Sequence, residues 1–271
     1  MRNDAQVIIV IRIAFIFCLL AVECGSLATT LDIGKVSKYD FSGNLNDTIS
    51  GNNFVTNSGL NFTTDRFGNS NNAIVFSNSS SYGLSLNSIG ISGNQSRTVS
   101  LWLKADNLNS DILGWGNLLN PSTGQAFLIH LTPENGNQIS VWGNYADVHS
   151  PNLGSSFFSN WKQLVYVYGG SIASSLLYIN GSAIPVFQQG AIILTDAFNT
   201  DNTSLRIGDR GDGRGLAGVG TQIDDVSIYS RALSSSEVLQ LYQTESVPEP
   251  SALSLLAVGL GGLAMMRRRR S

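Results

Sequence analysis

Cysteine is absent from residues 29 to 247; the chain's two cysteines, Cys18 and Cys24, lie near its start. A body without thiols has no disulfide framework, no thiolate nucleophile and no thiolate metal site, so a hydrophobic core must hold it together. Charge is sparse too, at 13% of the 271 residues, and histidine occurs only at 130 and 149. Within residues 29 to 247, ten basic residues stand against sixteen acidic ones, a net charge of −6. That balance offers nothing to nucleic acid or to an anionic membrane surface. Glutamate is rarest of all, with only Glu134, Glu237 and Glu245 in this stretch. No two acids are spaced two apart, the spacing that puts both carboxyls on one face of a strand. Glycosidic hydrolysis needs two converging carboxyl groups, so that class is disfavoured. Gly-x-Ser-x-Gly is also missing.

What is present is concentrated at the C-terminus. Val247-Pro248-Glu249-Pro250 is followed by an uncharged apolar run, Ser251 to Met266, and then by Arg267, Arg268, Arg269 and Arg270. Two prolines two apart keep the first segment extended and accessible. The run is slightly shorter than the roughly 20 residues that cross a bilayer comfortably, and the arginines would stay on the cytoplasmic side. This order of parts resembles the PEP-CTERM sorting signal of Gram-negative bacteria, which implies an exosortase as processing partner. It also implies a transient transmembrane helix in the inner membrane.

The other end agrees with export. Val7 to Val22 is apolar apart from Arg12, and Ser26-Leu27-Ala28 carries small residues where a signal peptidase reads them. Cleavage is expected after Ala28. Cys24 would suit a lipoprotein, but Glu23 stands where a small residue is needed. The expected organisation is a signal peptide over 1–28, a globular domain over 29–246 and the sorting segment over 247–271.

Between these ends the pattern is all-β. Short runs of alternating apolar and polar residues are separated by clusters of Asn, Ser, Gly and Asp, residues that favour turns. In Thr98 to Lys104, Val99, Leu101 and Leu103 share one face, and Ser100, Trp102 and Lys104 the other. Further strands are predicted at 73–76, 126–131, 138–142, 164–168, 176–179, 191–194, 205–208 and 223–229. Asn180-Gly181 predicts a two-residue hairpin turn. One helix is predicted, Ser235 to Tyr242, opened by a capping box of Ser234 and Glu237. Gln243 to Ser246, with Glu245, reads as a linker. Many short strands with almost no helix argue for a two-sheet antiparallel sandwich.

Several segments carry a family resemblance: Tyr39-Asp40-Phe41 with Asp47, Ala73 to Tyr82, Thr98 to Lys104, Trp161 to Gly170 and Leu177 to Gly181. The most specific is Ile223-Asp224-Asp225-Val226-Ser227-Ile228-Tyr229 followed by Arg231-Ala232-Leu233-Ser234, Glu237 and Leu241-Tyr242. Residues 36 to 243 resemble a bacterial laminin-G-like domain, which implies the concanavalin A-like jelly roll. Domains of this class include lectins, protein-binding modules and glucanases, so fold alone does not give function.

Jelly rolls of this class often carry one structural Ca2+, a cation that takes several carboxylate and carbonyl oxygens. Asp224 alternates with Val226 and Ile228, which turns its carboxylate toward an apolar side and demands a partner. The resemblance pairs it with the loop carrying Asp47 as a candidate calcium site. The alternatives are backbone amides or Arg231. Asp224 and Asp225, being adjacent, are expected on opposite faces. Asp147 and His149 make a weaker metal pair, and Asp209 with Asp212 a second oxygen cluster. His130, near a strand end, reads as a partly buried or edge histidine. The tripeptide Arg210-Gly211-Asp212 and the Asn-x-Ser/Thr sequons, including those at Asn78 and Asn180, follow from composition.

For ligand binding, Trp142, Asn144 and Tyr145 form a candidate sugar platform, with Trp115 nearby in sequence, whereas Trp102 and Trp161 are expected in the core. The expected function is an exported, non-catalytic protein that binds carbohydrate or another polymer of the exopolysaccharide or biofilm matrix. The alternative is a matrix scaffold working by protein–protein contacts, with a glycoside hydrolase as a third, less favoured class.

Overall fold

The computed structural model describes residues 30–106, 109–117, 125–133, 137–143, 146–188, 196–211 and 217–248. The predicted signal segment, the cleavage position after Ala28, Asn144, Tyr145, Asp212 and the predicted strand at 191–194 lie outside the described residues. So do Glu249, Pro250, the apolar run and the four arginines. No helix among the described residues is long and apolar enough to cross a membrane.

The described residues form two antiparallel sheets. The strands are β1 (Lys35–Tyr39), β2 (Phe54–Ser58), β3 (Leu60–Thr63), β4 (Ala73–Phe76), β5 (Tyr82–Ser88), β6 (Arg97–Lys104), β7 (Ser110–Gly116) and β8 (Ala126–Thr132). They continue with β9 (Gln138–Trp142), β10 (Val148–His149), β11 (Lys162–Tyr168), β12 (Leu176–Ile179), β13 (Ser182–Ile184), β14 (Phe187–Gln188), β15 (Ser204–Ile207) and β16 (Gln222–Tyr229). Sheet I runs β13-β12-β11-β6-β16-β4-β3, with β1 also on β16; sheet II runs β14-β10-β9-β8-β7-β15-β5-β2. Strands distant in sequence are neighbours in both sheets, so the sandwich closes only when long-range pairs form.

Alternation fills the space between the sheets. Val99, Leu101 and Leu103 of β6 and Leu164, Tyr166 and Tyr168 of β11 meet Phe127, Ile129 and Leu131 of β8 and Ile139 and Val141 of β9 in one buried cluster. A second cluster lies on the outer side of sheet I. There Val165, Val167, Tyr178 and Tyr229 are covered by Leu233 and by Val238 and Leu241 of the helix α1 (Ser235–Glu245). Helix α1 is the reason β6 is buried on both faces. Its start is the predicted capping box: Ser234 Oγ accepts from Glu237 N at 3.3 Å, and Glu237 Oε2 accepts from Ser234 N at 2.8 Å. The Asn180-Gly181 turn forms as expected, with positive φ at both residues (51° and 74°) joining β12 to β13.

One core position is charged. Arg97 is fully buried, and its hydrogen bonds run from Nε to Gln95 O at 3.0 Å, from one amino group to Thr200 Oγ1 at 3.0 Å and from the other to Gly93 O at 2.8 Å, none of them to a carboxylate. Its guanidinium also lies 5.4–5.5 Å from the ring centroids of Trp115, Phe127 and Tyr168. Burial pulls its pKa down to about 10, which leaves it charged at neutral pH. Arg97→Met should destabilise the body by at least about 2 kcal/mol in urea unfolding, because Gly93 O and Gln95 O lose a charged donor. A variant as stable as the parent would show that these bonds contribute nothing net.

Candidate functional site

Two regions gather polar and aromatic groups. The first is the outward face of sheet II. In β8 and β9, Ile129, Leu131, Ile139 and Val141 point into the core, so His130, Ser140 and Trp142 point away from it. Asp111, His130, Ser140 and His149 are register partners across the adjacent strands β7, β8, β9 and β10. His130 Nδ1 lies 2.7 Å from Asp111 Oδ1, both side chains being buried, and Ser140 Oγ lies 2.9 Å from His149 Nδ1. The His130 ring stacks on Trp142 at 4.2 Å between centroids and 27° between planes. Arg210 Cζ lies 5.5 Å from the centre of the same indole. Beside them a cleft of about 310 Å³ is lined by Asn117, Thr203, Ser204, Arg206, Arg210 and Gly211, among others. The face thus combines a half-buried indole with guanidinium, hydroxyl and amide groups. These are the chemistries that stack on and hydrogen-bond a polyhydroxylated ligand.

The second region is a cleft of about 910 Å³ on the outward side of sheet I. Strand β16 pairs with β6 along one edge, while its other edge is shared: β4 takes Gln222 and Ile223, and β1 takes Val226 to Tyr229. The register shifts between Asp224 and Ser227, and Asp225 has φ 45°. This bulge adds a residue, so Ile223 and Val226 both face the core while Asp224 and Asp225 both face the cleft. Arg66 clamps them: one amino group donates to Asp224 Oδ2 at 2.5 Å and the other to Asp225 Oδ2 at 2.6 Å. Arg66 also donates to the carbonyl of Glu245 from Nε (3.2 Å) and from an amino group (2.8 Å). Its Cζ lies 4.4 and 4.5 Å from the ring centroids of Phe67 and Trp102. The Glu245 carboxylate accepts from Trp102 Nε1 and Gln163 Nε2, both at 2.9 Å, and Tyr242 stacks on Trp102 at 6.0 Å.

A laminin G profile, described as the concanavalin A-like lectin/glucanases superfamily, matches residues 68–239, more than half of the chain. The chain belongs to this superfamily. The PEP-CTERM protein-sorting motif matches residues 246–270, which implies export, exosortase processing and transient association with the membrane. No curated protein matches the chain. Among solved structures the superfamily member resembles the binding domain of Paraclostridial Mosquitocidal Protein 1, at 18% identity and TM-score 0.57, covering 79% of this chain and 53% of that one. It also resembles domain 4 of AbnA, a GH43 extracellular arabinanase from Geobacillus stearothermophilus, in complex with arabinotriose. The identity there is 21% and the TM-score 0.55, over 77% of this chain and 98% of that one. A third is the botulinum neurotoxin serotype D ligand binding domain in complex with N-acetylneuraminic acid, at 18% identity and TM-score 0.54, over 80% and 52% of the two chains. The chain thus spans about half the length of the two toxin domains. At these identities the likeness is one of fold.

Within this superfamily fold, several sequence expectations are corrected. Asp224 does not face the sandwich interior and pairs with Arg66, not with Arg231, which instead holds Glu237 at 2.7 Å. Asp224 and Asp225 converge on one guanidinium where strand alternation placed them apart, because the bulge breaks that alternation. Asp47 is not brought to Asp224: its Oδ1 accepts from the amides of Lys38, Ile49 and Ser50, and its Oδ2 from Ser50 Oγ at 2.5 Å. With one carboxylate saturated by amides and the other committed to an arginine, the two do not fit a shared calcium site. Among the described residues no three His, Cys, Asp or Glu side chains gather as metal ligands. Asp147 accepts from Gly143 N at 2.9 Å, His149 faces Ser140, and Asp209 pairs with Arg206 at 2.8 Å. His130 lies near the end of β8 as expected, but it is buried inside sheet II rather than at an edge. Trp115 is inward, with Nε1 donating to Ile91 O, and so parts from the outward Trp142; Trp161 is only half-buried. Trp102 is buried on the outer side of sheet I, against Tyr242 of helix α1. Glu245 is the last residue of α1 and not linker. Arg66 was missed because only its partners, 158 and 159 residues away, give it meaning.

The cleft has an electrostatic consequence. Burial, reinforced by the Asp225 carboxylate, raises Glu245 from 4.5 to about 7. Burial raises Asp224 and Asp225 as well, with Arg66 opposing both. A carboxyl that titrates higher in the folded chain than in the unfolded one keeps a proton that the unfolded chain releases, so stability falls as pH rises. For Glu245 the contribution is complete below about pH 4.5 and lost through about pH 7. Glu245→Gln should therefore flatten the stability profile between pH 5 and 8 by roughly 2 kcal/mol. Melting temperatures of the two proteins across that range check it; parallel profiles would reject the assignment.

Proposed function

We propose that this exported superfamily member is a non-catalytic binding protein whose ligand is carbohydrate or another matrix polymer, taken on the outward face of sheet II. The observation that carries this reading is Trp142, which leaves the core and lies with His130 and Arg210 beside a polar cleft. An indole presents a flat apolar surface to the C–H face of a sugar, and flanking hydroxyls, amides and guanidiniums serve its ring oxygens. The arabinotriose and N-acetylneuraminic acid named with two of the similar structures are saccharides, which supports the same ligand class here. The non-catalytic part rests on the carboxylates. Among the described residues the pair that does converge, Asp224 and Asp225, is bonded by Arg66, and Asp111 is committed to His130. Neither arrangement leaves a free acid and a free base on opposite sides of one bond.

A glycan array probed with the exported body should show discrete saccharide binding. Trp142→Ala should weaken it at least about tenfold, a change of about 1.4 kcal/mol, with the melting temperature within a few degrees of the parent. Unchanged binding by the folded variant removes Trp142 from the site. Self-association or protein capture with no saccharide bound by the parent favours the scaffold, and turnover of a polysaccharide panel would overturn the non-catalytic assignment.

A further inference from the structure

The Arg66 cleft is not absorbed by the binding function, and its lining is unbalanced in charge. Among the described residues six carboxyl groups line it, those of Asp32, Asp40, Asp65, Asp224, Asp225 and Glu245. Only Lys35, Lys38 and Arg66 oppose them, a formal excess of three negative charges. Lys35 holds Asp32 at 3.0 Å and Lys38 holds Asp40 at 2.6 Å, which leaves one guanidinium among the other four acids. Burial, reinforced by the neighbouring carboxylate of Asp225, holds Asp224 and Glu245 above the ordinary carboxyl range, and burial does the same for Asp225. A further cation brought among them relieves that repulsion. The floor of the cleft carries a second, independent signal. Beyond the bulge, alternation points Val226 and Ile228 into the core and Ser227 outward into the cleft. Ser227 is only 1% exposed, and among the described residues its Oγ meets no hydrogen-bond partner. Ser100, its register partner on β6, is a buried hydroxyl in the same condition. A buried hydroxyl left unbonded is costly, so a group that enters the cleft and bonds Ser227 recovers that cost.

We propose that this cleft is a second binding site, which takes a saccharide unit carrying a protonated amino group. The ammonium goes to Asp40 and Asp225, which are only half-buried and close enough for their charges to act on each other. A sugar hydroxyl supplies the partner that Ser227 lacks. At about 910 Å³ the cleft is at the upper end of the size range of small-ligand pockets. Its walls mix apolar side chains, Leu31, Phe67 and Leu241, with the polar Asn69, Asn72 and Thr244. A sugar ring, with C–H faces and hydroxyl edges, matches both kinds of wall, whereas the alkyl stem of a lysine matches only the first. A neutral sugar leaves the charge excess unanswered. A bare metal ion fits less well, since no three acidic side chains gather as its ligands among the described residues. The cleft opens on the outer side of sheet I, away from Trp142, so this site and the sheet II face stand or fall separately.

The test is calorimetric titration of the full chain with a glucosamine tetramer, an N-acetylglucosamine tetramer and a lysine tetramer. Trp142→Ala serves as the background throughout, which removes the sheet II platform from the measurement. At about pH 6.5 a sugar amine, weakened by its neighbouring oxygens much as an α-amino group is by its carbonyl, is charged. Two further variants probe the cleft. Ser227→Ala removes a hydroxyl that has no bond to lose, and Asp225→Asn removes a charge while keeping an acceptor for Arg66. The glucosamine tetramer should bind at least about tenfold more tightly than its N-acetylated form and than the lysine tetramer. Its affinity should fall at least about threefold in Ser227→Ala and tenfold in Asp225→Asn, with both variants folded. Equal affinity for the two sugars, or no binding of either, overturns the proposal. So does parental affinity in either folded variant, which places the amine elsewhere. A lysine tetramer bound as tightly as the glucosamine tetramer overturns it too, since charge alone is then read. Should Asp225→Asn fail to fold, Asp40→Asn takes its place in the same comparison.

Discussion

Strand β16 has to serve three neighbours with two edges, and much of the architecture follows from how that is solved. One edge runs along β6; the other passes from β4 to β1 at a bulge. The extra residue turns two adjacent carboxylates to the same side, where like charges in a partly desolvated place repel and cost several kcal/mol if left alone. Arg66 offsets part of that cost by bonding both, though both carboxyls still titrate above their ordinary range, and its remaining donors reach the end of α1. A local defect in strand pairing thus fixes where the helix ends and, through it, how the outer side of sheet I is covered.

Among the described residues the two most buried arginines are used in opposite ways. Arg66 bonds two acids and is flanked by aromatic rings at a cleft edge. Arg97 lies wholly inside, bonded to two backbone carbonyls and a threonine hydroxyl and surrounded by three rings. Guanidinium suits both roles because it is planar, weakly hydrated and rich in donors. With no cysteine in residues 29 to 247, crosslinks between distant loops of the body must be non-covalent. Arg97 does this between the loop at Gly93 and Gln95 and the segment at Thr200, joining parts of the chain about a hundred residues apart.

How much of this was legible in the sequence depends on the range of the interaction. Local signals read well: the capping box at Ser234, the Asn180-Gly181 turn, and strands such as Ala73–Phe76 and Gln138–Trp142 coincide with the elements found. Period-two alternation also separated Val99, Leu101 and Leu103 from Trp102 correctly. It failed at Asp224, since a bulge resets the period by one residue and alternation carries no sign of it. Helix α1 reads three residues too short because Gln243, Thr244 and Glu245 supply no apolar side; the helix persists there through Arg66 and Gln163, which are remote in sequence. His130 looked peripheral for a similar reason. Its neighbours in the chain are apolar, and only the pairing of β7 with β8 brings Asp111 to it.

The two faces of the sandwich are therefore unequal in a way that bears on orientation. Sheet I is capped outside by α1, and the chain leaves toward its sorting segment from that side, past Glu245, Val247 and Pro248. Trp142, His130 and the arginine-lined cleft lie on the outward face of sheet II, across the full thickness of the core. Two sheets packed face to face stand about 10 Å apart, so these surfaces point in opposite directions. The polar face of sheet II therefore lies on the opposite side of the sandwich from Glu245, Val247 and Pro248, so the two polar regions of the body do not share a surface.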